Sequence, residues 1–333
     1  MAAGVIQIVQ ILTGVVSIRR REAPEENGTY VTMTLDHIAF IGFGEAAGAF
    51  LKGWRGGPFP ALAAAAYDIK TDDLALAEAK WADYARADVK GCASAGEALA
   101  GADADAVFSL VTADQALIAA GNAAPHLKPG ALYFDGNSCA PGTKRRAAEA
   151  VHAHGGRYVD MAIMAPVYPK MQKTPVLLSG PHAEAALAAA QGLDMAAKIV
   201  PGDTGAASSI KMIRSVMMKG LEALVLECVL AGRKAGVDVA VLDSLDVTYP
   251  DFDWKRRAAY MMERVATHGV RRAAEMREVA LTVDELGLGG TMARAAVEWQ
   301  ERVGALRLKA GDIQDYGALA EMILASLDKD QNQ

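Results

Sequence analysis

Residues 36–50, DHIAFIGFGEAAGAF, compress an apolar strand, a glycine turn and the opening of a helix into fifteen positions. Gly42, Gly44 and Ala47 form GxGxxA at the junction. A glycine at 42 permits a tight turn, one at 44 lets the backbone approach a pyrophosphate, and small Ala47 allows the helix to pack on the strand. The free amides of a helix start can hold phosphate, which makes Phe43, Glu45 and Ala46 cofactor-binding candidates beside the two glycines. Asp68 follows Gly44 by 24 residues and ends the next apolar run, ALAAAAYD. A carboxylate there is suited to the two adenosine ribose hydroxyls. It would repel a 2'-phosphate, so NAD is the expected cofactor, with NADP the alternative because Lys70 lies two residues on.

Outward from this unit, further apolar runs occur at VKGC, AVFSLVT, ALYFDGN, RYVDMAI and TPVLLSG, with helical stretches such as ADQALIAAGNAAPHL and PGTKRRAAEAVHAHG between some of them. That alternation predicts an α/β, Rossmann-type, mainly parallel sheet covered on both faces. Loops at the carboxyl ends of such strands border the ligand crevice, so those carrying Val111, Thr112, Asn137 and Ser138 are expected to neighbour the nicotinamide and the substrate.

The strand pattern stops near PGDTG, and residues 207–232 read as one long apolar helix. On it Lys211, Ser215, Lys219 and Glu222 fall within an arc of about 80 degrees. A lysine among methionines, isoleucine and valine is costly unless its ammonium reaches a cleft, a carboxylate or a ligand. Lys211, near the start of the helix, is the candidate general acid and base for a substrate hydroxyl, with Ser215 and Lys219 as helpers. A later helix over residues 254–286 presents His268, Arg271 and Arg272 as candidate contacts for an anionic part of the substrate. The domain expectation is an N-terminal extension over 1–35, either poorly ordered or an accessory element, then a dinucleotide-binding domain over 36–202. An all-helical substrate and dimerisation domain over 203–325 completes it.

Composition narrows the function. The 333 residues carry 34 basic and 40 acidic side chains, a net charge of -6, so no basic face stands out for nucleic acid. The three cysteines, Cys92, Cys139 and Cys228, are too dispersed for a disulfide framework or a thiolate metal site. His152 and His154, one residue apart on a helix, diverge too far to share a metal. The apolar run near the N-terminus, about 14 residues, falls short of the roughly 20 that span a bilayer. The expectation is a cytoplasmic homodimer with a small-molecule substrate, binding neither metal, membrane nor nucleic acid.

Over roughly residues 36–320 the sequence resembles the β-hydroxyacid dehydrogenases, the group related to 3-hydroxyisobutyrate and 6-phosphogluconate dehydrogenases. IAFIGFGEAAGAF is similar to the family's nucleotide motif, and AVFSLVTAD to the strand and loop that flank the nicotinamide ribose. The family's DxSTxxP stands here as DGNSCAP, with Asn137 and Ser138 in the serine and threonine positions. Its catalytic lysine corresponds to Lys211, and the asparagine four residues later is Ser215. DMAIMAP keeps Asp160 of the family's DAPVSGG but not its glycines. From about Gly202 to Glu278 the chain resembles a phosphogluconate-dehydrogenase-like C-terminal domain of uncharacterised function. The resemblance implies hydride transfer between NAD and a small hydroxyacid or related alcohol. An NADP-dependent carbonyl or imine reductase is the rival enzyme, and a non-catalytic dinucleotide-binding or assembly protein the rival of another class. Imine-reducing relatives usually lack the lysine, so its presence favours the first.

Overall fold

A computed structural model describes residues 17–19, 32–34, 37–102, 104–311 and 313–330, and the chain divides into two compact units between Lys211 and Met212. In the first unit β1 (Ser17–Arg19) and β2 (Thr32–Thr34) pair antiparallel as a short ribbon. The rest of the predicted 1–35 extension lies outside the described residues.

Strand β3 (His37–Ile41) then leads through the glycine turn into α1 (Glu45–Arg55). After it come β4 (Ala63–Tyr67), α2 (Ala77–Arg86), β5 (Lys90–Gly91) and α3 (Ala95–Ala102). The other half of the sheet is built from β6 (Ala106–Ser109), α4 (Ala116–Ala123), β7 (Leu132–Asp135), α5 (Pro141–Ala153) and β8 (Arg157–Ile163). It ends with β9 (Val176–Ser179), α6 (Ala183–Gly192) and β10 (Ala197–Ile199). The strand order is β10-β9-β8-β7-β6-β3-β4-β5, parallel throughout except where β9 runs against β8. From β3 the chain fills one side of the sheet and returns to β6 on the other. The crevice at this reversal is where open α/β sheets take ligands.

The core follows the two-residue period of the strands. Ile38 and Phe40 point to one face, where Phe50, Trp54, Phe108, Phe134 and Met161 join them. Ala39 and Ile41 point to the other with Val107, Tyr133, Val151 and Tyr158. Phe108 and Phe134, neighbours on β6 and β7, stack with centroids 4.7 Å apart. The sheet is thus the predicted mainly parallel, Rossmann-type one. The reversal at β9 and the strand β10 had no separate signal, because hydrophobic alternation carries no information on direction.

The helix predicted over 207–232 is α7 (Ala206–Ala235), and the division between the units falls inside it. The second unit is all-helical: the rest of α7, α8 (Asp238–Thr248), α9 (Trp254–Glu285), α10 (Thr291–Gly304) and α11 (Tyr316–Asp330). Leu226, Val229, Met262, Val265, Leu319 and Ile323 form its main core. Among the described residues no helix is long and apolar enough to cross a membrane.

Helices α9 and α10 touch backbone to backbone at a glycine pair. A Cβ on Gly269 would stand 2.2 Å from the Gln300 carbonyl oxygen and 2.7 Å from Gly304 Cα. Gly269→Ala is therefore expected to destabilise the protein by about 1–3 kcal/mol through overpacking, read as a lower thermal midpoint. Gly220→Ala is the control, because nothing lies within 4 Å of its Cβ position and the change should leave the midpoint unchanged or raise it.

Candidate active site

The two motif glycines serve different purposes. Gly42 has φ +84°, and a Cβ there would lie 2.6 Å from the Leu110 carbonyl oxygen and 2.7 Å from Val111 Cγ1. It is glycine because the turn after β3 is pressed onto the end of β6. Gly44 is exposed, and nothing lies within 4 Å of its Cβ position. It caps α1 without a side-chain hydrogen bond, so no side chain of residue 44 occupies the start of that helix. Such a cradle fits a pyrophosphate, and a side chain at 44 would fill it.

Asp68 lies at the carboxyl end of β4. Its Oδ2 accepts from the Phe43 amide at 2.9 Å and its Oδ1 from the Lys70 amide at 3.0 Å. The carboxylate is thus locked beside the glycine turn by backbone donors, with lone pairs left for ribose hydroxyls. The Lys70 side chain is exposed. A further lysine, which the sequence reading missed, braces the turn from behind: buried Lys80 donates to the Phe43 carbonyl at 2.8 Å and to Asp83 at 3.1 Å. Nearby, burial and the bond to Asp72 push the Tyr67 hydroxyl up to about 12.

Across the reversal, the Val111 amide donates to Asn137 Oδ1 at 2.6 Å, and Asn137 Nδ2 donates to Ser109 Oγ at 3.0 Å. Asn137 is buried, with both ends of its amide spent on joining the loop after β6 to the loop after β7. The neighbouring Ser138 is half-buried and accepts from Lys211 Nζ at 2.7 Å. Gly42, Asp68, Val111, Asn137, Ser138 and Lys211 thus join through a chain of contacts within the first unit. Thr112 is exposed in the same loop as Val111.

Beneath this surface runs a polar row that composition and spacing did not reveal. The strand register sets Ser109 beside Asp135, Asp135 beside Asp160, and Asp160 beside Ser179, all fully buried. Lys144, also fully buried, answers the two carboxylates: Nζ lies 3.0 Å from Asp135 Oδ1 and 3.5 Å from Asp160 Oδ1. Burial alone would depress this ammonium, but Asp135 above all, with Cys139 and Asp160, raises it well beyond the ordinary lysine range. A signal was present in the sequence. Lys144 occupies the apolar stripe of α5 with Ala147, Ala148 and Val151, where a cation needs an acid.

In the second unit, Lys219 Nζ meets Glu275 Oε2 at 2.7 Å and lies 3.4 Å from Ser215 Oγ. Arg271 reaches the other oxygen of Glu275 at 2.6 Å, and Arg272 pairs with Glu222. Burial, opposed by Glu275 and reinforced by the two arginines, lowers the Lys219 ammonium. From Ser215 to Glu222 the polar face predicted on α7 is therefore a seam packed against α9, whose cations meet carboxylates of the same unit. His268 is half-buried on α9.

Residues 56–205 match the family described as the NAD binding domain of 6-phosphogluconate dehydrogenase, and residues 233–303 match a domain of unknown function, DUF1932. A conserved hypothetical protein from Sinorhizobium meliloti 1021 is 38% identical, with a TM-score of 0.66 over 88% of this chain and 97% of that one. A conserved protein of unknown function, whose structure reveals similarity with 3-hydroxyacid dehydrogenases, is 26% identical with a TM-score of 0.58 over 81% and 98%. The chain belongs to the β-hydroxyacid dehydrogenase family. Within it, the chain falls in the subgroup that carries the DUF1932 domain behind the nucleotide-binding unit. The 3-hydroxyisobutyrate dehydrogenase of Mycobacterium tuberculosis shares the fold, with a TM-score of 0.63 at 15% identity over 86% and 98%. An uncharacterised 28.5 kDa protein from Methanothermus fervidus is 27% identical over 180 residues, 53% of this chain and 67% of that one. As a β-hydroxyacid dehydrogenase family member the chain is of the dehydrogenase and reductase kind, with NAD(P) as its cofactor. The nucleotide-domain match begins at residue 56, after the glycine turn, so the cradle itself rests on its own geometry.

The two glycines make separable predictions. Gly44→Val should leave the thermal midpoint nearly unchanged and weaken NADH binding by about 10-fold or more, because only the ligand's space is taken. Gly42→Ala should lower the midpoint itself, by about 1–3 kcal/mol of stability, since its φ and its neighbours both oppose a Cβ.

Proposed function

We propose that the protein transfers a hydride reversibly between NAD and a small hydroxyacid or related alcohol, with Lys211 as general acid and base. The observation that carries this reading is the 2.7 Å hydrogen bond from Lys211 Nζ to Ser138 Oγ at the carboxyl end of the sheet. Bound NAD supplies the hydride acceptor. As a carbinol carbon gives up hydride, its hydroxyl must give up a proton. Neutral Lys211 takes that proton, and its ammonium returns it when a carbonyl is reduced. Ser138 holds the amine in place and offers its hydroxyl to the same substrate oxygen. Asn137 keeps the two loops together.

NAD is favoured over NADP because the Asp68 carboxylate, locked by the Phe43 and Lys70 amides, suits ribose hydroxyls and repels a 2'-phosphate. The exposed Lys70 side chain supports the second reading, an NADP-dependent carbonyl or imine reductase. We assign the nucleotide to residues 36–202 and substrate contacts and dimerisation to 203–325. Because Lys219, Arg271 and Arg272 meet carboxylates already, we read them as bracing α7 against α9 rather than as the substrate's main anion site. The exposure of Met217 (69%) on α7 and Tyr260 (60%) on α9 supports a homodimer, which we place in the cytoplasm.

Fluorescence titrations with NADH and NADPH test the cofactor: tighter NADH binding is expected, and the reverse order would defeat the NAD assignment. Lys211→Ala should retain NADH affinity and reduce turnover by roughly 100-fold or more on the best substrate from a panel of hydroxyacids, sugar acids and alcohols. Lys211→Arg keeps the charge but moves protons poorly, so it should be nearly as slow. Near wild-type turnover in folded Lys211→Ala would remove Lys211 from the chemistry. Loss of both cofactor binding and turnover in the wild type would favour an assembly role.

A further inference from the structure

We propose that Lys144 is a positioning residue of the active site, its buried ammonium tying the carboxylate that fixes the Ser138 loop to the carboxylate that caps the Lys211 helix. The proposal rests on reading Lys211 and Ser138 as the reacting pair.

On the loop side, Lys144 Nζ donates to the Asp135 carbonyl at 2.5 Å and to its Oδ1 at 3.0 Å. The same Oδ1 accepts the amide of Asn137 at 3.0 Å, one residue before Ser138, while Oδ2 takes the Tyr158 hydroxyl at 2.7 Å. Asp135 thus sets the path of the chain as it leaves β7 for Ser138.

On the helix side, Asp160 Oδ2 accepts from the Gly205 amide at 3.1 Å, the Ser208 amide at 3.0 Å and the Ser208 hydroxyl at 3.2 Å. The Ser179 hydroxyl donates to it at 3.0 Å and accepts the Ala207 amide at 3.0 Å. Three amides at the start of α7 are therefore satisfied by one carboxylate and the serine beside it, in a buried place. Lys211 follows Ser208 by three residues, within one turn of this cap.

The two anchors are partners in the β7/β8 register, so their carboxylates face a shared buried space. Asp160 Oδ1 makes no hydrogen bond and faces Lys144 Nζ at 3.5 Å. Without the ammonium, two like charges would share a site from which water is excluded. One would have to take up a proton or move away. Either response alters one end of the Lys211–Ser138 contact. The lead-in to α7 also touches the helix that carries Lys144: a Cβ on Gly205 would stand 3.0 Å from Pro141 Cβ.

The test reads the Lys211 amine itself. Wild type and Lys144→Met are exposed to trace acetic anhydride at fixed pH, and acetylation of each lysine is measured by peptide mass spectrometry. Lys211 is expected to react about 5-fold faster in the variant, having lost its fixed partner. Buried Lys80, on the other side of the same unit, should be unchanged, and NADH affinity should stay within about twofold. Unchanged labelling at Lys211, or an equal rise at Lys80 that reports general loosening, overturns the proposal. Should Lys144→Met fail to fold, the paired change Ser179→Ala and Ser208→Ala keeps the ions and removes two hydroxyls from the cap. It is expected to raise Lys211 labelling about twofold, and no rise overturns the proposal. On a working substrate, Lys144→Met should lower kcat about 10-fold with KM for NAD unchanged, whereas a raised KM with intact kcat would contradict positioning. If Lys211→Ala keeps full turnover while Lys144→Met still frees the Lys211 amine, the reaction assigned to Lys211 is wrong and the positioning contact stands.

Discussion

Parallel pairing of β7 with β8 brings Asp135 and Asp160 side by side in the dry interior, an arrangement that like charges oppose. Each buried ion costs several kcal/mol of hydration, which only close, fully hydrogen-bonded geometry offsets. Here the offset comes from Lys144, from the hydroxyls of Tyr158, Ser179 and Ser208, and from the amides of Asn137, Gly205 and Ser208. These donors come from four elements and the loops between them. Satisfying the acids therefore fixes where β7 ends, how the middle of β8 is held and where α7 begins. The excess negative charge sits at the amino end of a 30-residue helix, where the backbone dipole favours it.

The second unit solves a similar problem by other means. Its polar seam joins two helices, with Lys219 and Arg271 sharing Glu275 and Arg272 meeting Glu222. Charge alternates along the seam, so each cation is answered locally and the register of α7 on α9 is specified. Close by, Gly269 and Gly304 let α9 and α10 approach until backbone meets backbone. Apolar packing supplies the bulk of this core, while the charges and glycines choose one alignment among many that apolar residues alone would permit.

How much of this was legible beforehand depended on the range of the interaction. The glycine turn, Asp68 and the long helix that carries Lys211 are local patterns, and each stands where its spacing placed it. The α/β unit followed by helices was readable for the same reason. The loop that carries Asn137 is legible as a border of the ligand crevice, but the bridge its side chain makes between two loops is not, since the contact partners Val111 and Ser109 are 26 and 28 residues away in sequence. The Lys144 cluster gathers residues from positions 135 to 208, and nothing local announces that they meet. A lysine on an apolar stripe signalled that some acid must answer it, but not which one. The antiparallel turn of β9 was invisible for a related reason, because a short apolar run reads the same in either direction.

The contrast between the two motif glycines bears on the history of the family. Gly42 is held by the protein's own fold, so a lineage that gave up its nucleotide would still have to keep it. Gly44 has nothing of the chain within 4 Å of its Cβ position, so on the proposed reading its constraint is the guest. Drift at position 44 beside a retained glycine at 42 would therefore mark relatives that have kept the architecture and abandoned the cofactor, a distinction that overall similarity does not draw.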